Sequence, residues 1–240
     1  MYNREKTRYS IYFKGGNTVI DEYQHNNLKY IFYLPENFEE GKKYPLIVSL
    51  HGAGSRGMDI EILKRNPCTT RIRAHQYKGY IFASPLCHGH DWNEIMESVI
   101  AWLSELRSRP YIDTDRVYLT GVSMGGYGTW ELAMLKPEWF AAIMPICGGG
   151  IPAFTKRLIN VPVRTFHGLL DDVVDPIESL EMVKALNRFG GHAELILYPD
   201  LKHSCWMTVY ATEEHYDWLL SHTLHHEENK DDGYSGENYG

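Results

Sequence analysis

Residues 116–136 constrain the fold more than any other part of the chain. A β-branched and aromatic run, Arg116-Val117-Tyr118-Leu119-Thr120, passes through Gly121-Val122-Ser123-Met124-Gly125 into a segment with helical spacing that stops at Pro137. A G-x-S-x-G motif between a strand and a helix predicts a nucleophile elbow. That is a sharp turn that strains the serine backbone and lifts its hydroxyl off the sheet. The glycines follow from this geometry, because a side chain at 121 or 125 would meet the neighbouring strand or helix. The pattern by itself is cheap in a chain with 21 Gly. Its place after a strand and before a helix gives it weight.

Strand-like runs recur on both sides of the motif, at 9–13, 28–34, 44–50, 80–84, 140–146, 161–166 and 193–198. Several are apolar with little alternation, as expected of strands buried on both faces. Helical spacing marks 91–109, 124–136, 176–189 and 206–220. In the first, Ile95, Val99, Trp102, Leu103 and Leu106 recur three and four residues apart. Pro137 closes the second and Gly190-Gly191 the third. The alternation predicts an α/β class, with a mostly parallel eight-stranded sheet and helices on both faces. The first two strands, with Gly15-Gly16-Asn17 between them, read as an antiparallel addition. The segment 148–160 stands where such folds carry a cap, and it is too short for a cap domain. A chain of 240 residues with 43% hydrophobic content reads as one domain over 1–225. The polar, acidic stretch 226–240 predicts a disordered tail.

Composition excludes several roles. Net charge is −7 and there is no basic stripe, which argues against nucleic acid as a partner. No apolar run approaches the ~20 residues of a membrane span. The polar start Met1-Tyr2-Asn3-Arg4-Glu5-Lys6 leads into no apolar core of a signal peptide. The expectation is a cytoplasmic chain. Cys68, Cys87, Cys147 and Cys205 are scattered without a C-x-x-C pair, so free thiols are expected rather than a zinc site or a disulfide framework. His222, His225 and His226 read as a solvated helix end rather than as metal ligands.

A serine nucleophile needs a base, and the base needs a carboxylate to orient it. With a nucleophile elbow the chain order is serine, acid, histidine. Phe166-His167-Gly168-Leu169-Leu170-Asp171-Asp172 follows the strand at 161–166, and Lys202-His203-Ser204-Cys205-Trp206 closely follows the last strand. Both fall on loops at carboxyl ends of strands, where catalysis gathers in open α/β sheets. Ser123, Asp171 and His203 are therefore the predicted triad. Asp172 is the direct rival of Asp171, and His167 reads as support for its loop. An oxyanion needs two N–H donors. The predicted pair is the backbone of Met124 and of Ala53, the latter in His51-Gly52-Ala53-Gly54-Ser55-Arg56-Gly57. His51 reads as structural. Trp92 and Trp206 are candidate substrate-binding aromatics. This chemistry calls for no metal and no organic cofactor.

These pieces carry a resemblance. They are Leu50-His51-Gly52-Ala53-Gly54, the block 115–130 around Ser123, Pro145-Ile146-Cys147-Gly148-Gly149-Gly150, Phe166-His167-Gly168 with Asp171, and His203 to Trp206. On them the chain resembles the α/β-hydrolase superfamily over about residues 28–222. Within it, the chain looks like the small serine esterases related to polyhydroxybutyrate depolymerases, carbohydrate esterase family 1 and prolyl-oligopeptidase-like enzymes. The resemblance matches Ser123, Asp171 and His203 to the family's triad positions, and Ala53 and Met124 to its oxyanion donors. Ser55 and Asp175 depart from residues that relatives often carry there. The resemblance implies a serine carboxylesterase that works through an acyl-enzyme on a small-molecule or oligosaccharide ester. Acetyl or feruloyl esters of plant carbohydrates are the leading class. A small-peptide peptidase and an acyltransferase are the other activities that the resemblance allows.

Overall fold

The computed structural model describes residues 20–25 and 28–224. Its strands are β1 (Ile20–His25), β2 (Leu28–Tyr33), β3 (Tyr44–Leu50), β4 (Ile81–Pro85), β5 (Ile112–Val122), β6 (Ala142–Ile146), β7 (Val163–Gly168) and β8 (Ala193–Tyr198). Its helices are α1 (Glu61–Lys64), α2 (Pro67–Ala74), α3 (Met96–Arg107), α4 (Met124–Leu135), α5 (Ile177–Arg188), α6 (Trp206–Val209) and α7 (Glu213–Leu220). The strands form one eight-stranded sheet in the order β1-β2-β4-β3-β5-β6-β7-β8. β2 runs antiparallel to both β1 and β4, and all the other pairings are parallel. This is the α/β-hydrolase fold.

Side chains on a strand alternate between faces, so each central strand feeds two cores. On β3, Leu46, Val48 and Leu50 enter one core and Ile47 the other. On β5, Val117 and Leu119 enter the first, Tyr118 and Val122 the second. The first core is closed by α3, α4 and α5 through Val99, Trp102, Trp130 and Met182. The second is closed by α2, α6 and α7 through Ile72, Val209, Tyr216 and Leu219. The spacing in α3 is what lets it cover the sheet: Met96, Val99, Trp102, Leu103 and Leu106 are its buried residues. Glu97 in its first turn and Arg107 in its last complement the helix dipole.

Three local expectations need correction. The antiparallel partner of β2 is β1, with His25 opposite Leu28, so Gly15-Gly16-Asn17 does not connect this pair. Asp21 and Glu22 obscure β1 in the sequence, although an edge strand tolerates charge. The expected strand at 9–13, the Gly15-Gly16-Asn17 turn, His225 and the tail at 226–240 lie outside the described residues. The helical segment at 206–220 is two helices, because Thr212 is extended between them. That break lets Tyr210 turn fully inward, with its hydroxyl 2.9 Å from Thr120 Oγ1. The helices α1 and α2 escaped the pattern. The second of these buries only Cys68, Thr69 and Ile72, too few apolar positions for a clear stripe. It is set instead by its start, where Asn66 accepts from the Cys68 N–H at 2.7 Å and Pro67 opens the first turn. Residues 148–160 hold a single 3₁₀ segment, Pro152–Leu158, and no cap domain. Among the described residues no helix is long and apolar enough to cross a membrane.

Leu119 is fully buried in the central strand β5, whereas Leu197 on the edge strand β8 is 41% exposed. Leu119→Ala should cost about 2–5 kcal/mol, read as a lower urea midpoint at unchanged slope. Leu197→Ala should stay within about 0.5 kcal/mol of wild type.

Candidate active site

The strand β5 ends at Val122, and Ser123 turns the chain with φ 55° and ψ −118°. A non-glycine residue avoids this region unless its surroundings hold it there. Here the Ser123 N–H donates to the Ile146 carbonyl of β6 at 2.9 Å, and the Ser123 carbonyl accepts from the Tyr127 N–H at 3.0 Å. The two motif glycines allow the close approach. A Cβ on Gly125 would overlap the Leu50 carbonyl of β3, and one on Gly121 would overlap the Gly125 carbonyl.

The loops after β7 and β8 bring the other two predicted residues to Ser123. His203 Nε2 lies 2.9 Å from Ser123 Oγ, and His203 Nδ1 lies 2.7 Å from Asp171 Oδ2. The side chain of Asp171 is fully buried. Its Oδ1 accepts from the Val173 and Val174 N–H groups, each at 2.9 Å. Burial favours the protonated acid, but the Val174 N–H, the His203 ring and the Val173 N–H outweigh it. They hold the carboxyl below the usual carboxylate range. Asp172 points elsewhere: it is exposed and pairs with Lys202 Nζ at 2.9 Å.

A second imidazole reaches the same carboxylate oxygen. His167 Nε2 is 3.1 Å from Asp171 Oδ2 and 3.0 Å from the Val174 carbonyl, while Nδ1 is 2.8 Å from Ser179 Oγ. An Nε2 facing two acceptors carries a proton, while burial pushes the ring's pKa down. His167 thus supports the loop and also donates to the acid, a contact the sequence did not suggest. Cys147 Sγ completes a cluster whose ligand atoms with His167 and Asp171 lie within 4.8 Å of one another. A cation there would have to displace hydrogen bonds that Asp171 already accepts.

The third loop follows β3. A Cβ on Gly52 would sit 3.3 Å from the Val122 carbonyl and 3.7 Å from Ser123 Cβ, so this loop lies against the elbow. Ala53 opens a short 3₁₀ turn and Met124 opens α4. Among the described residues neither of their N–H groups has a hydrogen-bond partner. His51 braces the loop: its Nε2 accepts from the Cys87 N–H at 2.9 Å and its Nδ1–H donates to the Gly52 carbonyl at 2.8 Å. Arg56 holds the other end, with Nε donating to the Ala53 carbonyl at 3.0 Å and Nη1 to the His90 carbonyl at 2.6 Å.

The two tryptophans part company. Trp92 does not line the site: it is 1% exposed, its indole N–H donates to the His51 carbonyl at 3.0 Å, and its ring sits against Gly128 of α4. An indole can be buried when its one donor finds an internal acceptor. Trp206 stays half-buried, edge-on to His203 with centroids 5.1 Å apart. Leu169, Leu170 and Val173 are exposed on the Asp171 loop.

The prolyl oligopeptidase family profile matches residues 77–149 and 152–226. The chain belongs to the prolyl oligopeptidase family. Curated members and relatives include dipeptidyl-peptidase 5 of Porphyromonas gingivalis, 24% identical over 71% of this chain and 32% of that protein. Another is the bifunctional acetylxylan esterase/xylanase XynS20E of Neocallimastix patriciarum, 28% identical over 60% of this chain and 21% of that protein. The chain thus spans about a third or less of the length of these two relatives. Among solved structures, a thermostable esterase superposes with a TM-score of 0.73 at 28% identity, covering 85% of this chain and 62% of that one. Est1E from Butyrivibrio proteoclasticus shares the fold with a TM-score of 0.65 at 16% identity, covering 85% of this chain and 99% of that one.

In this prolyl oligopeptidase family chain, burial lowers the His51 pKa from 6.5 to about 4. Between those values the unfolded chain binds a proton that the native state does not. Stability present above pH 6.5 is therefore lost as pH falls toward 4, by about 3 kcal/mol. His51→Gln should flatten that acid limb in melts recorded from pH 7 to 4. Equal slopes in both proteins would assign the limb to another group.

Proposed function

We infer that the chain is a serine hydrolase of carboxylic esters. The observation that carries this reading is the continuous relay from Ser123 Oγ through His203 to the ionised Asp171, at 2.9 and 2.7 Å. In the first half-reaction His203 Nε2 takes the Ser123 proton as Oγ attacks the ester carbonyl. The Ala53 and Met124 N–H groups receive the oxyanion. His203 then returns the proton to the departing alcohol, leaving an acyl-enzyme. Water, deprotonated by His203, releases the acid and restores Ser123. Asp171 holds the Nδ1–H tautomer and stabilises the imidazolium.

Acetyl or feruloyl esters of plant carbohydrates are the substrate class we assign. Likeness to the acetylxylan esterase/xylanase supports it, and Leu169, Leu170 and Val173 offer an aryl or acyl group apolar surface beside the acid. Cleavage of small peptides is the second reading, favoured by the likeness to dipeptidyl-peptidase 5.

Ser123→Ala should fold normally and lose on the order of 10⁶-fold in turnover of an aryl acetate. Near-wild-type turnover would remove Ser123 from the mechanism. Asp171→Asn should lose on the order of 10⁴-fold through the wrong His203 tautomer, and Asp172→Asn far less. A crippled Asp172 variant beside an active Asp171 variant would reverse the assignment. The substrate class is read from a panel of aryl acetates, longer acyl esters, hydroxycinnamate methyl esters and peptide anilides. Anilides turned over faster than every ester would move the reading to a peptidase.

A further inference from the structure

Cys147 and Cys205 are 58 residues apart in the chain, yet their Sγ atoms lie 3.0 Å apart. Both are buried, at 0% and 1% exposure. A disulfide has its sulfurs about 2.05 Å apart, so bonding asks this pair to close by about 1 Å. Cys147 directly follows β6 with φ 48°, a left-handed backbone that a side-chain-bearing residue rarely adopts. Its N–H donates to the Phe166 carbonyl at 2.9 Å, and its Sγ lies 3.4 Å from the His203 carbonyl. Cys205 closes the 3₁₀ turn that begins at His203. The other two thiols differ: Cys68 sits in α2, and Cys87 Sγ lies 3.2 Å from the Asp91 carbonyl. Among the described residues no other two thiols lie within hydrogen-bonding distance.

We propose that Cys147 and Cys205 are a disulfide-forming pair whose bond ties the His203 turn to the end of β6. That strand carries Ile146, the residue that holds the Ser123 N–H. The bond would therefore join the segment of the base to the strand that holds the nucleophile's backbone. The oxidant is a small-molecule disulfide such as oxidised glutathione. One cysteine thiolate attacks it, forming a mixed disulfide and releasing one glutathione thiolate. The second cysteine thiolate then attacks the protein sulfur and releases the other. The two cysteines give up two electrons and two protons, and one glutathione disulfide becomes two thiols. Burial shields both thiols in the folded chain, so the exchange belongs to folding or to transient opening of the His203 turn. The proposal does not depend on the hydrolase reading.

The test refolds the wild-type chain in glutathione buffers of graded ratio and quenches with acid. Thiols are counted in denaturant and disulfide peptides are mapped. The same count is made on protein taken directly from an oxidising medium, so poor refolding does not decide the outcome. Four thiols are expected under excess reductant and two under oxidising buffer, with Cys147 and Cys205 in one cross-linked peptide. The oxidised form should melt roughly 5–15 °C higher, as expected for a cross-link closing a loop of this length. Cys205→Ser should keep three free thiols and one melting temperature in every buffer. Four thiols at all ratios would overturn the proposal. So would glutathione adducts without the cross-link, or an oxidised form no more stable than the reduced one.

Discussion

The first turn of α4 is pressed against the carboxyl end of β3, and the site depends on that contact. With a Cβ at Gly125 the helix could not approach the Leu50 carbonyl. Without that approach, the Ala53 and Met124 N–H groups would not belong to one place. Ser123 is in its strained conformation because β6 and α4 each hold one of its backbone polar groups. A strained residue persists only when its surroundings over-determine it. Here those surroundings are β6, α4 and, through the close approach at Gly125, β3, and all three are packed in the core. The geometry of the candidate site is therefore a consequence of core packing rather than a feature of a free loop.

The second constraint is electrostatic. A buried carboxylate is costly unless its lone pairs are met. Asp171 accepts from two backbone N–H groups and from two histidines. That satisfaction keeps it charged, and it divides the histidines by role. His203 bridges to Ser123, whereas His167 is buried against Ser179 and turns its Nε2 to Asp171 and the Val174 carbonyl. His51 is a third imidazole, and it bonds only backbone groups. These histidines look alike in composition and are distinguished by what each ring nitrogen faces.

The sulfur pair extends the same logic. The turn carrying His203 meets the residue after β6 through Cys147 Sγ, 3.4 Å from the His203 carbonyl. Two buried thiols at this point put a covalent option between the His203 turn and the end of β6.

Much of this was legible in the sequence because it is local. Unbroken apolar runs located the central strands and 3.6-residue periodicity the long helices, since those segments must bury both faces or one. The elbow was legible because glycine spacing, strand and helix are contiguous. Asp171 and His203 were legible because they directly follow strands whose carboxyl ends converge. What depends on distant partners was not legible. Trp92 reads as a candidate substrate-binding aromatic until the His51 carbonyl supplies an internal acceptor for its N–H. The helices α1 and α2 bury too few residues to impress a period. The edge strand β1 is defined by its partner rather than by its own residues. The choice between Asp171 and Asp172 rested on spacing alone, and the fold decided it by turning one carboxylate to His203 and the other to Lys202. Cys147 and Cys205 meet only because β6 and the loop after β8 end on the same side of the sheet. Sequence by itself determines period, turns and motif, which are properties of neighbours along the chain. Burial, shared carboxylates and sulfur contacts are properties of neighbours in space, and only the folded sheet brings them together.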